Sequence, residues 1–322
     1  MKVFKKLHTL FIAVLLLVVG QQGCDTMIYD DLSECPQGVD FHFYSQTPCE
    51  ITRNYPAQLK QIRLFAFDEN EVLVGEYPFN DLTLSAENLQ RTLFYKIGTF
   101  TFVAWGSDNL SAYEISDFKV GETTKQEMEL LLAQQGGKPH TTSLYYGVSA
   151  PLTITDRSRL GTIFDRVDIN MIEFTNRVYL TVHGLPGDGS FSLSVVENNG
   201  AFLFNGDYAK STGWVYQLPL KNEGNLFKAD ILTLLKLVEN RGTKLTVIDN
   251  KTNQPIYEAD LVNDLILNRE QATPPPYNLE CERDFHIDIF LEHAIDPETT
   301  WMIVRAIINN WNLVYRNVIL GN

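Results

Sequence analysis

Short segments in which apolar and polar residues alternate recur along almost the whole sequence. In Gly38–Gln46 the apolar residues Val39, Phe41 and Phe43 are separated by polar ones. A period of two is typical of β-strands, because successive side chains point to opposite faces of a sheet. The other alternating or apolar segments are Gln61–Phe67, Val72–Tyr77, Phe100–Trp105, Ser143–Pro151, Arg166–Phe174, Arg177–Gly184, Phe191–Glu197, Lys244–Ile248, Asp284–Leu291, Trp301–Ile308 and Leu313–Leu320. Many short strands separated by turn residues predict antiparallel β-sandwiches and an all-β fold.

Helical patterns are few. The spacing of apolar residues predicts one helix over Glu122–Gln135, which begins after Gly121 and ends at Gly136-Gly137, where glycine favours a helix C-cap. Residues 227–239 fit both the helical and the strand period, and the all-β context favours strand. Leu261–Asn268 is a candidate for a second short helix. The fold class predicted is therefore all-β with one or two short helices.

The length and one break in the pattern indicate two domains. A chain of 322 residues is long for one domain and sufficient for two. Between Thr155 and Phe164 the sequence is polar and the alternation stops, which places a boundary there to within about ten residues. We expect an N-terminal β-sandwich at residues 37–160 and a C-terminal β-sandwich at residues 161–322.

The N-terminal segment has the layout of a lipoprotein-type signal peptide, assigned to residues 1–23. Three lysines precede the apolar run Leu10–Val19, which has roughly half the ~20 residues needed to span a bilayer. Gly23-Cys24 then matches the cleavage site of a bacterial lipobox, so Cys24 is the predicted lipid attachment residue. Residues 24–36 are acidic and polar, and we interpret them as a lipidated tether. An ordinary signal peptide with an incidental cysteine is the alternative.

The remaining cysteines give one candidate disulfide. Cys35 and Cys49 are close enough in sequence to form a bridge in an oxidising compartment. Cys281 is then left over, and we interpret it as a small buried apolar residue. No two cysteines have the C-x-x-C spacing of a zinc ribbon or a thioredoxin-like redox site.

The sequence gives no positive indication of catalysis, a metal or a cofactor. It lacks the motifs of serine hydrolases, P-loop enzymes, zinc proteases and dinucleotide-binding enzymes. His286 and His293 lie near Asp284 and Asp288, but these acids alternate with Phe285, Ile287 and Ile289, as on the exposed face of a strand. His42, Asp165 and Asp168 are likewise expected to be exposed. A net charge of −14 with no cluster of basic residues makes a nucleic-acid partner improbable.

Three aromatic pairs are candidates for stacking on sugar rings. They are Tyr145-Tyr146, Trp214 with Tyr216, and Trp301 with Trp311. Aromatic residues are also common in β-sandwich cores, and we favour core packing for each pair.

Four segments resemble the FimB-type (Mfa-like) fimbrial anchor subunit family of Bacteroidales. They are Cys24–Tyr44 (CDTMIYDDLSECPQGVDFHFY), Arg63–Tyr77 (RLFAFDENEVLVGEY), Ser143–Gly147 (SLYYG) and Phe174–Leu185 (FTNRVYLTVHGL). The resemblance covers nearly the whole chain. It implies two tandem transthyretin-like Greek-key β-sandwiches, an outer-membrane location with lipid on Cys24, and subunits joined by strand donation.

The function expected from this resemblance is structural. The chain would be a lipid-anchored base or accessory subunit that attaches a cell-surface fimbria to the outer membrane and limits its length. Its expected partners are fimbrial shaft or accessory subunits and membrane lipid, without an enzyme activity or a cofactor. A surface glycan-binding lipoprotein is the alternative from another class, and a hydrolase with two convergent carboxylates is a more distant one.

Overall fold

A computed structural model of the chain describes residues 35–135, 138–139, 141–157, 160–209, 213–224, 226–268, 277–293 and 301–319. The described part is nearly all β. Its strands are, in chain order, β1 (Gln37–Tyr44), β2 (Gln61–Phe67), β3 (Leu73–Phe79), β4 (Gln90–Leu93), β5 (Gly98–Ser107), β6 (Tyr113–Ile115), β7 (Glu129–Leu132), β8 (Gln134–Gln135), β9 (Lys138–Pro139), β10 (Leu144–Val148), β11 (Leu152–Ile154), β12 (Ile163–Asn170), β13 (Ile172–Glu173), β14 (Thr175–His183), β15 (Phe191–Glu197), β16 (Ala201–Leu203), β17 (Trp214–Asn222), β18 (Leu226–Lys228), β19 (Leu232–Leu235), β20 (Lys244–Asp249), β21 (Gln254–Asp260), β22 (Asp284–His293), β23 (Trp301–Ile308) and β24 (Trp311–Ile319).

Helical structure is confined to three short pieces within these residues. Two are 3₁₀ turns, Leu110–Ala112 and Lys125–Glu127, and the third is a π-helical segment, Leu261–Ile266. None of the described helices has the length and apolar character required to traverse a bilayer.

The N-terminal part of the described chain is a β-sandwich. One layer has the strand order β12-β1-β4, and the other has the order β13-β10-β5-β2-β3, with β11 also paired to β5. Alternate residues of both layers meet in one apolar core. Its fully buried members include Val39, Phe41, Ile62, Leu64, Phe102 and Ala104.

The first strand of this sandwich, β1, pairs in parallel with β12. β1 and β12 are in register from Gln37 opposite Ile163 to Tyr44 opposite Asn170. Val167 and Ile169 of β12 consequently enter the same core as Phe41 and Phe43. The strand β12 thus belongs with the N-terminal sheets, although it follows residue 160, where the domain boundary is expected. The boundary itself stays a prediction.

The C-terminal part is built around a hydrogen-bonded path of strands ordered β21-β20-β15-β17-β18-β14-β22-β23-β24, with β19 also paired to β14. The strand β17 pairs with β15 at one place and with β18 at another, so the path folds around its own core. Alternate residues of β14 and β22, such as Leu180 and Ile287, face Leu193 of β15 and Val247 of β20 across that core. The predicted all-β fold class is confirmed.

The two cores are joined through an aromatic layer. Phe65 and Trp105 lie on the face of their sheet that points away from the first core, and both are fully buried. The Phe65 ring lies 4.9 Å from that of Phe204, and the Phe174 ring lies 5.1 Å from that of Phe202. All of these residues belong to the same cluster as the core of the C-terminal part. The larger N-terminal sheet is therefore buried on both faces.

The predicted helix over Glu122–Gln135 is wrong. After the turn at Lys125–Glu127 the chain forms β7, in which Leu130 pairs with Ile115 of β6 and with Phe202 of β16. Pairing on both sides satisfies the backbone and buries Leu130, which overrides the local helical spacing.

The two other secondary-structure expectations are confirmed. Residues 227–239 contain β18 and β19, as the all-β context indicates. The candidate helix at Leu261–Asn268 is present as Leu261–Ile266, and the Asp260 side chain caps it by accepting hydrogen bonds from the backbone of Val262 and Asn263.

Candidate functional site

The described residues contain no assembled metal site. No group of three or more histidine, cysteine, aspartate or glutamate side chains lies close enough there to hold a metal ion. Cys24, the predicted lipid attachment residue, lies outside the described residues together with the signal peptide and most of the tether. Its role stays a prediction.

The predicted disulfide between Cys35 and Cys49 is wrong. Cys49 bonds to Cys281, with the two Cα atoms 5.8 Å apart, a distance typical of disulfides. Cys35 is buried beside the start of β1. The eight-residue strand β1 lies between Cys35 and Cys49, and an extended strand of that length spans roughly 26 Å. Proximity in sequence therefore does not give proximity in space. Cys281 is also not the isolated apolar residue that we expected.

The disulfide lies beside a polar cleft between the N-terminal and C-terminal parts, which Cys281 helps to line. The cleft has a volume of about 330 Å³. Arg177 of β14 lies in it, with Nη1 2.5 Å from a Glu173 oxygen and Nε 2.5 Å from an Asp284 oxygen. Burial lowers the pKa of Arg177, but the bonds to Asp284 and Glu173 outweigh this and raise it above its usual value. The guanidinium thus links a carboxylate of β13 to a carboxylate of β22, which is a structural role.

Arg283 orders the loop that carries Cys281. Its guanidinium donates to the backbone oxygens of Leu279, Glu280 and Glu282 at 2.6, 3.0 and 3.0 Å. The side chain is buried, which lowers its pKa. The three bonds hold the loop in place, and Cys281 can then reach Cys49.

His42 is buried, contrary to the expectation that it faces solvent. It lies on the outer face of the sheet β12-β1-β4 but is only 1% exposed. Its Nδ1 lies 3.2 Å from Asp168 and 3.1 Å from the guanidinium of Arg166, and Asp168 also accepts a bond from Arg53. Burial raises the pKa of Asp168, but the bonds from Arg166 and Arg53 outweigh this and lower it. Asp168 is accordingly a half-buried ion-pair partner and not an isolated surface charge.

Asp165, the other acid expected at the surface, also has a fixed partner. Its carboxylate lies 2.6 Å from Nη1 of Arg157, and both side chains are mostly buried.

Asp284, His286 and Asp288 lie on the solvent side of β22, as the alternation predicts. Phe285, Ile287 and Ile289, between them, are buried. Each of the three pairs across the parallel register with a residue of β14: Arg177, Tyr179 and Thr181. The rings of Tyr179 and His286 stack at 4.2 Å, and Asp288 lies 2.9 Å from His183. This face is a ladder of paired side chains.

The candidate sugar-stacking aromatics that the structure describes are mostly in the core. Tyr145, Tyr146 and Tyr216 are 2%, 9% and 6% exposed, in agreement with core packing. Trp214 is partly buried against the core of the C-terminal part, which also contains Tyr216. The side chains of Trp301 and Trp311 lie outside the described set.

A buried polar cluster in the same core has no counterpart in the sequence patterns. Glu197 ends β15 opposite Trp214 at the start of β17, and its carboxyl group is 1% exposed. Its two oxygens, the Trp214 indole nitrogen and the Tyr216 hydroxyl have no hydrogen-bond partner among the described residues. Burial raises the pKa of Glu197 well above its usual value, against an opposing effect of Tyr216.

The strand β24 provides a long open sheet edge. It has nine residues, contains no proline and ends the described strand path of its sheet. The edge strands β3 and β21 contain Pro78 and Pro255, which interrupt the row of backbone donors. The strand β12 is also an edge strand, but its end lies close to Gly147 of β10. A Cβ atom added at Gly147 would lie 2.7 Å from the backbone oxygen of Asn170. An unpaired edge can accept a strand from another chain.

Comparison with known proteins gives a match over nearly the whole chain. The family described as fimbrillin-A associated anchor proteins Mfa1 and Mfa2 matches residues 32–317. The minor fimbrium anchoring subunit Mfa2 of Porphyromonas gingivalis is 33% identical over 303 residues, which cover 93% of this chain and 92% of that protein.

Solved structures give the same result. The fimbrial anchor protein Mfa2 from Porphyromonas gingivalis superposes with a TM-score of 0.77 at 30% identity, covering 88% of this chain and 100% of that one. A candidate adhesin from Bacteroides thetaiotaomicron superposes with a TM-score of 0.68 at 19% identity, covering 88% and 99%. A candidate polysaccharide-binding protein from the same organism gives 0.67 at 17%, again covering 88% and 99%. At these lower identities the likeness concerns the fold alone.

Proposed function

The chain belongs to the family of fimbrillin-A associated anchor proteins Mfa1 and Mfa2, and on this premise we propose that it is a lipid-anchored base or accessory subunit of a cell-surface fimbria. In this role it attaches the fimbria to the outer membrane, limits its length and catalyses no reaction. The observation that carries the proposal is the match to an anchoring subunit over 93% of this chain and 92% of that one.

The anchor itself is Cys24. Its support is the sequence alone: the basic start, the short apolar run and Gly23-Cys24 form a lipoprotein signal. Radiolabelled palmitate given to growing cells should enter the wild-type chain and not Cys24→Ala. Cys35→Ala is the matched control, since it also removes one cysteine near the N-terminus, and it should label like the wild type. Equal labelling of the wild type and Cys24→Ala refutes the anchor.

The role in fimbrial length follows from the anchored position. A subunit fixed to the membrane can end a polymer that grows towards it. Cells that lack this protein should therefore shed fimbriae into the medium or carry longer ones, as measured by electron microscopy and by the amount of shed fimbrial protein. Attached fimbriae of normal length in such cells contradict the proposal.

Strand donation between this chain and its neighbour is proposed at the open edge of β24. The two-residue turn at Asn309-Asn310 connects β23 to β24, and Ile308 pairs with Trp311 across it. Beyond a two-residue turn, hydrogen-bonded and non-hydrogen-bonded residue pairs alternate along the hairpin, starting with the hydrogen-bonded pair of Ile308 and Trp311. The backbone of Leu313, two residues further on, is therefore hydrogen-bonded to β23. The backbone of Val314 then points away from β23, towards an incoming strand.

A proline at position 314 tests this geometry. Val314→Pro removes one outward N–H but leaves the bonds between β23 and β24, so we expect a folded protein with at least tenfold less fimbrial partner in a pull-down. Val314→Ala, which keeps the N–H, should capture the partner like the wild type. Circular dichroism checks the fold. Normal capture by folded Val314→Pro excludes this edge.

A further inference from the structure

One end of the N-terminal sandwich carries a concentrated patch of exposed apolar side chains. Ten large apolar side chains are more than a third exposed among the described residues, and four of them are Leu93, Tyr95, Ile97 and Leu160, at 49%, 68%, 67% and 63%. Single exposed apolar residues are ordinary on protein surfaces, but a cluster indicates contact with another surface. We call these four residues the apolar end.

The four residues come from segments that meet at the start of β1. Phe94 donates its backbone N–H to the Gln37 oxygen at 3.1 Å, while the Gln37 side chain donates to the oxygens of Arg157 and Gly161. Gly98 pairs with Ile154 on the same side. Residues 93–98 and the described residues 154–157 and 160–161 are thereby held around Gln37.

The outward direction of the patch follows from Phe94, whose side chain is part of the core. Phe94 is 4% exposed, and its ring lies 4.7 Å from that of Phe100. With Phe94 turned inward, the extended chain turns Leu93 and Tyr95 outward.

The charge of this end differs from that of the whole chain. The protein has 40 acidic and 26 basic residues, yet Arg91–Gly98, which carries three of the four residues of the apolar end, contains two basic residues and no acidic one. Arg91 and Arg157 are held by Asp40 and Asp165, and Lys96 is exposed between Tyr95 and Ile97. Tyrosine and lysine are residue types that place an apolar body in lipid and a polar tip in water.

The position of the patch identifies its partner. The chain reaches β1 at Gln37, 13 residues after Cys24, and a fully extended segment of that length spans at most about 45 Å. A lipid on Cys24 would keep this end close to the membrane and give it a high effective concentration there. We propose that the apolar end rests on the lipid surface in which Cys24 is anchored, an inference that depends on the proposed lipid attachment.

The test is the accessibility of a cysteine placed in the patch. Tyr95→Cys is introduced into the full chain, and its reaction rate with a water-soluble maleimide is measured in outer-membrane preparations. The same substitution is measured in the Cys24→Ala chain, which has no lipid. Val215→Cys, at a position 52% exposed on β17, is the matched control.

We expect Tyr95→Cys to react at least tenfold more slowly in the lipidated chain than in the Cys24→Ala chain, with equal rates for Val215→Cys. Equal rates for Tyr95→Cys overturn the inference. Slow reaction in both chains also overturns it, since the patch is then covered by the protein itself. Protection that disappears in cells without fimbriae overturns it too, because the partner is then a protein.

Palmitate incorporation in the same samples separates this inference from the proposed function. A chain that takes up palmitate but reacts equally fast at Tyr95→Cys refutes the membrane contact alone. A chain that takes up no palmitate refutes the anchor and the membrane contact together.

Discussion

At the scale of single residues, burial alters the protonation of Glu197. The carboxyl group is 1% exposed, and burial raises its pKa well above the usual value. Between the pKa of the unfolded chain and that of the folded chain, the folded state keeps a proton that the unfolded state has released. The free energy of unfolding therefore falls as pH rises through this window, by about 1.4 kcal/mol per pH unit.

Glu197→Gln removes this dependence, because an amide does not titrate. We expect the free energy of unfolding of the variant, measured in urea at intervals from pH 5 to pH 7.5, to fall less with pH than that of the wild type. The difference between the two slopes should approach the value for one proton, about 1.4 kcal/mol per pH unit. Glu114→Gln, on the exposed part of β6, should keep the wild-type slope. Equal slopes for wild type and Glu197→Gln refute the raised pKa.

At the scale of elements, the hairpin of β23 and β24 depends on its turn. Asn309 and Asn310 both have positive φ, at 43° and 73°, as a two-residue hairpin turn requires. The Asn309 side chain also accepts from the backbone of His286 at 2.7 Å and donates to the oxygen of Asp284 at 2.8 Å. The turn thus fixes both the hairpin and its contact with β22.

Two substitutions at Asn310 test whether this position requires a positive φ. Asn310→Gly suits a positive φ, so its free energy of unfolding should be equal to or slightly above that of the wild type. Asn310→Val should lower it by about 1–2 kcal/mol, because a β-branched residue is strained in that conformation. Denaturant titration of both variants measures the difference. Equal stability of the two variants contradicts the assigned turn.

At the scale of the whole molecule, the disulfide and the shared aromatic layer hold the N-terminal and C-terminal parts together. Cys49 and Cys281 are 232 residues apart in sequence. In the loop-entropy model, closing a loop of that length stabilises the folded state by about 5 kcal/mol. The aromatic layer around Trp105 and Phe202 adds buried apolar surface between the same two parts.

Cys281→Ser should lower the melting temperature and abolish its response to a reducing agent. Cys35→Ala keeps the bridge, so its melting temperature should still fall when reductant is added. Peptide mapping without reduction should recover a peptide pair that contains Cys49 and Cys281. Recovery of Cys35 linked to Cys49 contradicts the assignment.

Local alternation was sufficient to predict most strands, since it reflects one buried and one exposed face of a sheet. It correctly predicted the buried and exposed sides of β22, from Asp284 to Ile289. The helical spacing over Glu122–Gln135 was misleading, because Leu130 pairs with β6 on one side and with β16, which is distant in sequence, on the other. Alternation failed for His42, whose outer face is covered by ion pairs and by the ring of Tyr55.

The sequence by itself determined the all-β class, the short helix after Asp260 and the family resemblance, because each depends on neighbouring residues, and it is the only support for the predicted lipid attachment at Cys24. Only the tertiary structure decided that Cys49 bonds to Cys281, that β12 pairs with β1, and that Leu93, Tyr95 and Ile97 are exposed at the same end of the N-terminal sandwich as Leu160. These features join residues that are far apart in the chain. Their contacts are set by how the sheets stack, and a local pattern carries no information about that.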